Sequence, residues 1–304
     1  VSITRDAVIK AVKLRIRSDV PLAFCMSGGV DSNTLISVAS KILGCDVHGF
    51  TITNEDSRYE EQSLVNIAVK ELGVKHTQVS LSKENFLSNM RAIVRAHDAP
   101  VATISYYVHW LLMNKIRANG YKISISGTAA DELFSGYYDH HLLYLASISE
   151  NKDLFKKSKK NWLKYVAPYV RNQFLQDPDR FLNHPKFRDH IYSGKEFSRY
   201  LYKPILEIFH EKEYPVSLLR NRMLNELFYE TVPVILHEDD VNAMHNSIEN
   251  RSPFLDRNLF ETSLQIPTEF LVNNGRAKSV LRESMKGILP DVIRESPRKV
   301  GFNA

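Results

Sequence analysis

Cysteine is scarce in this chain of 304 residues: only Cys25 and Cys45 occur, both inside apolar stretches and neither in a CxxC or Cys/His spacing. Their scarcity excludes a disulfide framework and a cysteine-built zinc site, and makes the cytoplasm the expected compartment. Long hydrophobic runs are missing too, since nothing approaches the ~18 consecutive apolar residues of a membrane-crossing helix. The first twenty residues carry Arg5, Lys10, Lys13, Arg15 and Arg17 through an amphipathic pattern, without the apolar centre of a signal peptide. Two phosphate-binding patterns, GxxxxGKS/T and GxGxxG, are also absent, which excludes the Walker-type and dinucleotide-type cradles.

With 43% hydrophobic and 25% charged residues, the chain has enough apolar content to bury a core, and disorder is excluded as its main state. The net charge of +5 raises the question of nucleic acid. Residues 150–200 hold twelve Lys or Arg against six Asp or Glu, a local +6 that leaves −1 for the rest. That segment reads KKSKKNW and scatters its charges among Trp162, Tyr165, Tyr169 and Phe174. The pattern fits the solvated face of helices, so neither a nucleic acid nor a membrane is expected as a partner.

Periodicity gives an ordered series of elements. Thr4 before an apolar run reads as the cap of a first helix, ending near Pro21. Leu22 to Met26 reads as a strand, and the run from Leu35 to Gly44 as a helix. Val47 to Ile52, Val74 to Leu81 and Ile123 to Ser126 are expected strands. Helices are expected at Glu60 to Leu72, Glu84 to Ala96 and Ser105 to Ala118. Strands alternating with helices predict an α/β fold with a parallel sheet covered on both faces, whose ligands bind beyond the carboxyl ends of the strands. From about residue 139 no comparable alternation is found. Helical patterns broken at Pro168, Pro178, Pro185, Pro204, Pro215 and Pro233 predict a packed helical subdomain. The expected division is 1–140 for the sheet part and 141–304 for the helical part.

Two loops carry the chemistry. Ser27-Gly28-Gly29-Val30-Asp31-Ser32 follows a strand and opens a helix. Its glycines let backbone N–H groups converge on an anion, the helix adds its positive end, and Ser27 and Ser32 supply hydroxyls. This strand, SGGxDS loop and helix resemble the nucleotide loop of the PP-loop ATP pyrophosphatases. The second loop, Ser126-Gly127-Thr128-Ala129-Ala130-Asp131-Glu132-Leu133-Phe134-Ser135-Gly136-Tyr137, resembles the SGEGADELFGGY segment of the asparagine synthetase family, in its C-terminal synthetase domain, a group that includes the β-lactam synthetases.

Further matches run in order along the chain. Residues 17–21 resemble the family's RSDVP lead-in, Tyr59-Glu60-Glu61 its YDE, and Asp98 and Pro100 its DxP. Residues 247–256, SIENRSPFLD, resemble SIEARVPFLD; residues 278–283 resemble KxxLRE, and 297–302 the RPKxGF stretch.

The resemblance implies a PP-loop sheet flanked by helices and an ATP-dependent, amide-forming ligase. ATP and Mg²⁺ are the implied cofactors, and a glutaminase domain or another ammonia source the implied partner. A substrate carboxylate would be activated as an acyl-adenylate with loss of pyrophosphate, then displaced by ammonia. Ser27, Gly28, Gly29, Asp31, Ser32, Thr51 and Gly127 are the nucleotide-binding candidates, and Asp31 and Asp131 the metal ligands. Lys278 is the implied cation for pyrophosphate and for the later oxyanion. Arg251 reads either as an active-site charge or as half of a structural ion pair. His237-Glu238-Asp239-Asp240 fits a cation-rich site or a solvated turn. General-base duty falls to Glu238, Asp240 or Glu249.

Three departures qualify the match. Thr128 replaces the family's Glu at the acceptor end, so a carboxylate other than aspartate is expected, such as the uronic acid of a nucleotide sugar. Val241 stands where the family carries Arg. The glutaminase half does not precede the synthetase lead-in, so the sequence reads as a piece of a longer chain. A PP-loop tRNA-modifying enzyme and a non-catalytic ATP-binding relative are the alternatives.

Overall fold

The computed structural model describes residues 1–53, 61–81, 84–191, 200–203 and 209–297. Tyr59 and Glu60 of the YDE match, Pro204, and residues 298–302 of the RPKxGF match lie outside them. The strands are β1 (Leu22–Cys25), β2 (His48–Thr53), β3 (Lys75–Ser80), β4 (Ile123–Ile125) and β5 (Glu249–Arg251). The helices used below are α1 (Ser2–Arg15), α2 (Val30–Ser37), α3 (Gln62–Leu72), α4 (Phe86–His97), α5 (Ser105–Ala118), α6 (Ala130–Phe134), α7 (Tyr138–Ser147), α8 (Lys152–Tyr165), α9 (Arg180–Asn183), α10 (Leu218–Asn225) and α11 (Val232–His245).

The sheet is parallel throughout, in the order β3-β2-β1-β4-β5. The chain runs outward from β1 through β2 to β3 and then returns to place β4 on the other side of β1. Order therefore reverses beside β1, and in such sheets the crevice for a ligand opens at that point, beyond the carboxyl ends. Ala23, Phe24 and Phe50 are fully buried, as expected for strands covered on both faces. Ala23, Phe50, Leu112, Met113, Ile116, Ala243 and Ile248 form one core cluster, joining β1 and β2 to α5 and α11. Gly73 ends α3 in the left-handed conformation at φ 64°, which glycine adopts without steric cost.

Several expectations are corrected. Thr4 does not cap α1: the helix starts at Ser2, and Thr4 is buried inside it. The helix after the SGGVDS loop is α2 followed by a π-helical turn, Val38–Ile42, before Gly44 at φ 65°. The acidic run 237–240 is no turn but the middle of α11. A fifth strand exists beyond residue 139: β5 pairs with β4 through Ile123↔Glu249 and Ile125↔Arg251. Its three residues, Glu-Asn-Arg, carry no apolar alternation, because an edge strand this short takes its place from backbone pairing.

The contacts cluster into two compact units that do not follow the 1–140 and 141–304 division. One comprises Val1–Ala130, Thr231–Gln265 and Leu281–Ala304, the other Asp131–Glu230 and Ile266–Val280. The cause is β5 and α11, which return the chain to the sheet after the helical excursion. The second unit has its own core of Leu142, Leu143, Tyr144, Trp162, Phe181, Leu219, Met223 and Leu271 among others. In it, α8 is capped by Asn151, whose side chain accepts from the Leu154 N–H. Trp162 is buried while Lys156, Lys157, Lys160 and Lys164 are exposed, so along α8 the basic residues form the solvated face the pattern predicts. Among the described residues no helix is long and apolar enough to cross a membrane.

Candidate active site

The SGGVDS loop leaves β1 at the centre of the sheet, and its own side chains fix its shape. The Ser27 N–H donates to Ser32 Oγ (3.1 Å), and the Gly29 N–H donates to Ser27 Oγ (3.1 Å). Fully buried Asn33 donates from Nδ2 to the carbonyls of Ser27 and Gly29, both at 2.7 Å. The Gly28 N–H donates to Glu61 Oε2 at 3.0 Å, so a carboxylate already sits on one donor of the cradle. Asp31 lies in the first turn of α2, whose N-cap is Gly29. Neither Asn33 nor the bond to Glu61 was foreseen from the sequence. An amide that closes a strand-to-helix loop has no period or spacing to reveal it.

The second loop meets the first at Gly127. A Cβ built there would lie 3.2 Å from Asp31 Cβ and 3.4 Å from the Ser32 nitrogen, so only glycine lets the loops approach without displacement. Thr51, at the far half of β2, is buried and shares a 3.0 Å hydrogen bond with His76 Nε2. The structure thus brings together Ser27, Gly28, Gly29, Asp31, Ser32 and Gly127, and gives Thr51 a histidine partner.

Thr128 does not project alone. Its Oγ1 donates to Asp239 Oδ2 at 3.1 Å and contacts Ser126 Oγ at 3.1 Å, while Ser126 Oγ reaches Ser252 Oγ at 3.1 Å. His109 Nε2 stands 3.4 Å from Asp239 Oδ1. His109 Nδ1 faces the Asn242 Nδ2 donor at 3.5 Å, and that assigns the ring proton to Nε2, toward Asp239. Asp239 therefore collects a hydroxyl and an imidazole, and α11 supplies it because the helix turns Glu238 and Asp239 inward and leaves Asp240 exposed. Burial, then the Asp239 charge, raises the Glu238 carboxyl to about 7, against a lowering hydrogen bond from Ser105. Burial, then Asp239, also pushes the Cys25 thiol up to about 12, so Cys25 is a packed thiol and no thiolate nucleophile.

Glu249 and Arg251 are brought to each other, and Arg251 to the end of α1. Arg251 Nε donates to Glu249 Oε1 (2.8 Å), and Nη1 donates to the carbonyls of Arg15 and Arg17, both at 2.8 Å. A guanidinium at a helix C-terminus satisfies carbonyls that lack an intrahelical donor. Glu249 is exposed, and the hydrogen bond from Arg251 lowers its pKa.

In the second unit, Lys278 is buried and pairs with Asp131 at 2.7 Å. Lys278 also holds φ at 57°, a left-handed backbone that costs a side-chain-bearing residue about 1–3 kcal/mol and that persists where the surroundings impose it. Gly136 lies directly beneath the pair: a Cβ there would overlap the Asp131 carboxylate and come 2.7 Å from Lys278 Cε. Tyr137 donates to Glu132 Oε1 at 2.6 Å, and burial followed by the Asp131 charge raises Glu132 to about 7.

The family model described as "Asparagine synthase" matches residues 4–304. The chain belongs to the asparagine synthase family. Among its relatives, asparagine synthetase [glutamine-hydrolyzing] 1 of Bacillus subtilis (strain 168) is 26% identical over 313 residues, covering 98% of this chain and 48% of that protein. Amidase chyE of Penicillium rubens is 25% identical over 344 residues, covering 97% of this chain and 51% of that protein. The putative asparagine synthetase [glutamine-hydrolyzing] 2 of Methanocaldococcus jannaschii is 29% identical over 131 residues, 43% of this chain and 25% of that protein. This member of the asparagine synthase family spans about half the length of the curated relatives it matches along its whole extent.

Proposed function

We propose that this chain is the synthetase part of an ATP-dependent carbon-nitrogen ligase that joins ammonia to a substrate carboxylate. The observation that carries the reading is Gly127 of the second loop lying against Asp31 of the SGGVDS loop, beyond the carboxyl ends of adjacent strands β1 and β4. The Glu61 carboxylate on the Gly28 N–H supports it, as an anion held where a phosphate oxygen would be taken.

In this reading a carboxylate oxygen attacks the α-phosphorus of ATP, and the bond to the bridging oxygen breaks with release of pyrophosphate. Ammonia then attacks the acyl carbon, loses a proton and expels AMP. Ser27, Gly28, Gly29, Ser32 and Thr51 hold the nucleotide. Asp31 and Asp131 are the hard oxygen donors assigned to Mg²⁺, which when bound neutralises phosphate charge. Asp131 already holds a cation, the Lys278 ammonium. Lys278 meets the charge that develops on the departing pyrophosphate and then on the acyl oxygen, and a preorganised donor of this kind contributes ~3 to 4 kcal/mol. Glu238, half protonated near pH 7, is the base favoured for the ammonia-derived proton. Asp240, exposed, and Glu249, bound to Arg251, are second to it.

The acceptor is proposed to be larger than aspartate, a uronic acid on a nucleotide sugar being the case in view, because Thr128 gives its hydroxyl to Asp239 where the family motif carries Glu. Cys25, held as a thiol, offers nothing to the sulfur-transfer chemistry of a tRNA-modifying alternative. The test is incubation of the protein with ATP, Mg²⁺, ammonia and a carboxylate library, read by mass spectrometry. An AMP-linked carboxylate or its amide is expected with at least one member. AMP production that needs tRNA, or nucleotide binding with no product from the full-length protein, would overturn the reading.

A further inference from the structure

Beneath the Asp131–Lys278 pair lies a buried histidine that the reaction outlined above does not use. The Gly136 N–H donates to His140 Nδ1 at 3.1 Å, and His140 Nε2 meets Glu226 Oε2 at 2.7 Å. His140 is fully buried and Glu226 nearly so. A backbone N–H only donates, so Nδ1 presents its lone pair to Gly136, and the ring proton belongs on Nε2, where the carboxylate takes it. These partners fix the Nε2–H tautomer, the two nitrogens doing opposite work; burial lowers the His140 pKa, but the Glu226 carboxylate outweighs it and raises the value, so the Gly136 N–H on Nδ1 is what keeps the second proton off the ring.

We propose that His140 and Glu226 are positioning residues: Glu226 fixes the His140 tautomer, and His140 holds the Gly136 turn on which Asp131 and Lys278 meet. This rests on the proposed role of Lys278. Three observations carry it. Gly136 has no room to move under the pair, since a single added carbon would overlap the Asp131 carboxylate. The residue before it, Ser135, is fully buried and held at φ 70°, its hydroxyl without a hydrogen-bond partner among the described residues; the left-handed backbone strains the turn, which needs an outside restraint. Glu226 opens a π-helical turn, Glu226–Glu230, directly after α10; such turns are rare and concentrate at functional sites. The Tyr137 ring closes the remaining side of His140, edge to face at 5.0 Å.

The same residues do not read as a metal site. Asp139, His140 and Glu226 offer atoms within 4.8 Å of one another, but Asp139 already accepts from Arg222 Nη1 and contacts His190 Nε2, both at 3.3 Å. Both ring nitrogens of His140 are engaged, and the Arg222 guanidinium supplies the positive charge an ion would bring.

The contrast between Glu226→Gln and Glu226→Leu, with His140→Leu beside them, tests the proposal. Gln keeps an oxygen that accepts from Nε2–H while removing the charge; Leu removes both. Ring ¹⁵N resonances should report a protonated Nε2 and a bare Nδ1 for His140 in the wild type and in Glu226→Gln. Acylation of Lys278 by an amine-directed reagent, counted by peptide mass spectrometry against exposed Lys160, should rise several-fold in both Leu variants and stay at the wild-type level in Glu226→Gln. In ATP–pyrophosphate exchange, kcat should fall about 100-fold in the Leu variants with KM for ATP little changed, the mark of a misplaced group, and Glu226→Gln should recover most of it. Melting curves identify variants that remain folded. If the His140 variant fails to fold, the wild-type tautomer and the Glu226 pair decide alone. A protonated Nδ1 in the wild type, unchanged Lys278 acylation in a folded Leu variant, or equal damage from Gln and Leu would overturn the proposal. Absence of exchange in the wild type with every carboxylate would count against the proposed reaction, while the tautomer and acylation results would still judge the positioning role.

Discussion

Thr128 Oγ1 donates to Asp239 Oδ2 at 3.1 Å, tying the loop after β4 to the middle of α11. A hydrogen bond from a partly buried hydroxyl to a carboxylate stabilises by about 1.5–3 kcal/mol. Thr128→Val should therefore lose roughly that amount in denaturant unfolding, and Thr128→Ser, which keeps the donor, should lose far less. Equal stability of the two variants would show that the hydroxyl contributes nothing there.

Two loop residues stand at left-handed backbone angles where the resembling segment has glycine: Ala129 at φ 76° and Ser135 at φ 70°. The strain exceeds the entropy that glycine loses on folding. Ala129→Gly and Ser135→Gly should each raise stability by about 0.5–1 kcal/mol, measured as an increase in urea midpoint at unchanged slope. A lower midpoint for either would contradict the strain.

Glu238 makes a signed prediction for pH. Its folded pKa of about 7 lies above the usual glutamate value, so between about pH 4.5 and 7 the native state binds more protons at this site than the unfolded chain. Its contribution is present below the unfolded pKa and is lost as pH rises through about 7. Stability relative to Glu238→Gln should accordingly fall across that window. A wild-type curve parallel to that of Glu238→Gln from pH 4.5 to 7 would rule out the raised pKa.

The sheet was legible because β1 and β4 are short apolar runs and β2 and β3 carry β-branched or aromatic residues such as Phe50, Ile52, Thr77 and Val79 between helical periods, and the SGGVDS loop because glycine pairs at a strand end have a narrow physical meaning. Helix α5 matches its expected bounds, Ser105 to Ala118. β5 was not legible, since Glu249–Arg251 is polar and owes its strand conformation to β4. The partners of the site residues were hidden for a similar reason. Asn33, His109, His140 and Glu226 act through contacts made by folding, His140 reaching a residue 86 positions away. Nothing in local composition distinguishes them from buried polar residues of the core. The acidic run 237–240 left a cation-rich site and a solvated turn open, because three adjacent carboxylates fit either; the helix that directs two of them inward excludes the turn.

If the SGGVDS loop and Lys278 serve activation of a carboxylate by ATP, as proposed, exchange of labelled pyrophosphate into ATP measures that step directly. Exchange should depend on both a carboxylate and Mg²⁺, be abolished by Asp31→Ala and fall about 100-fold or more in Lys278→Ala. Exchange that persists undiminished in Asp31→Ala and Lys278→Ala, or none with any carboxylate in a broad panel, would contradict it.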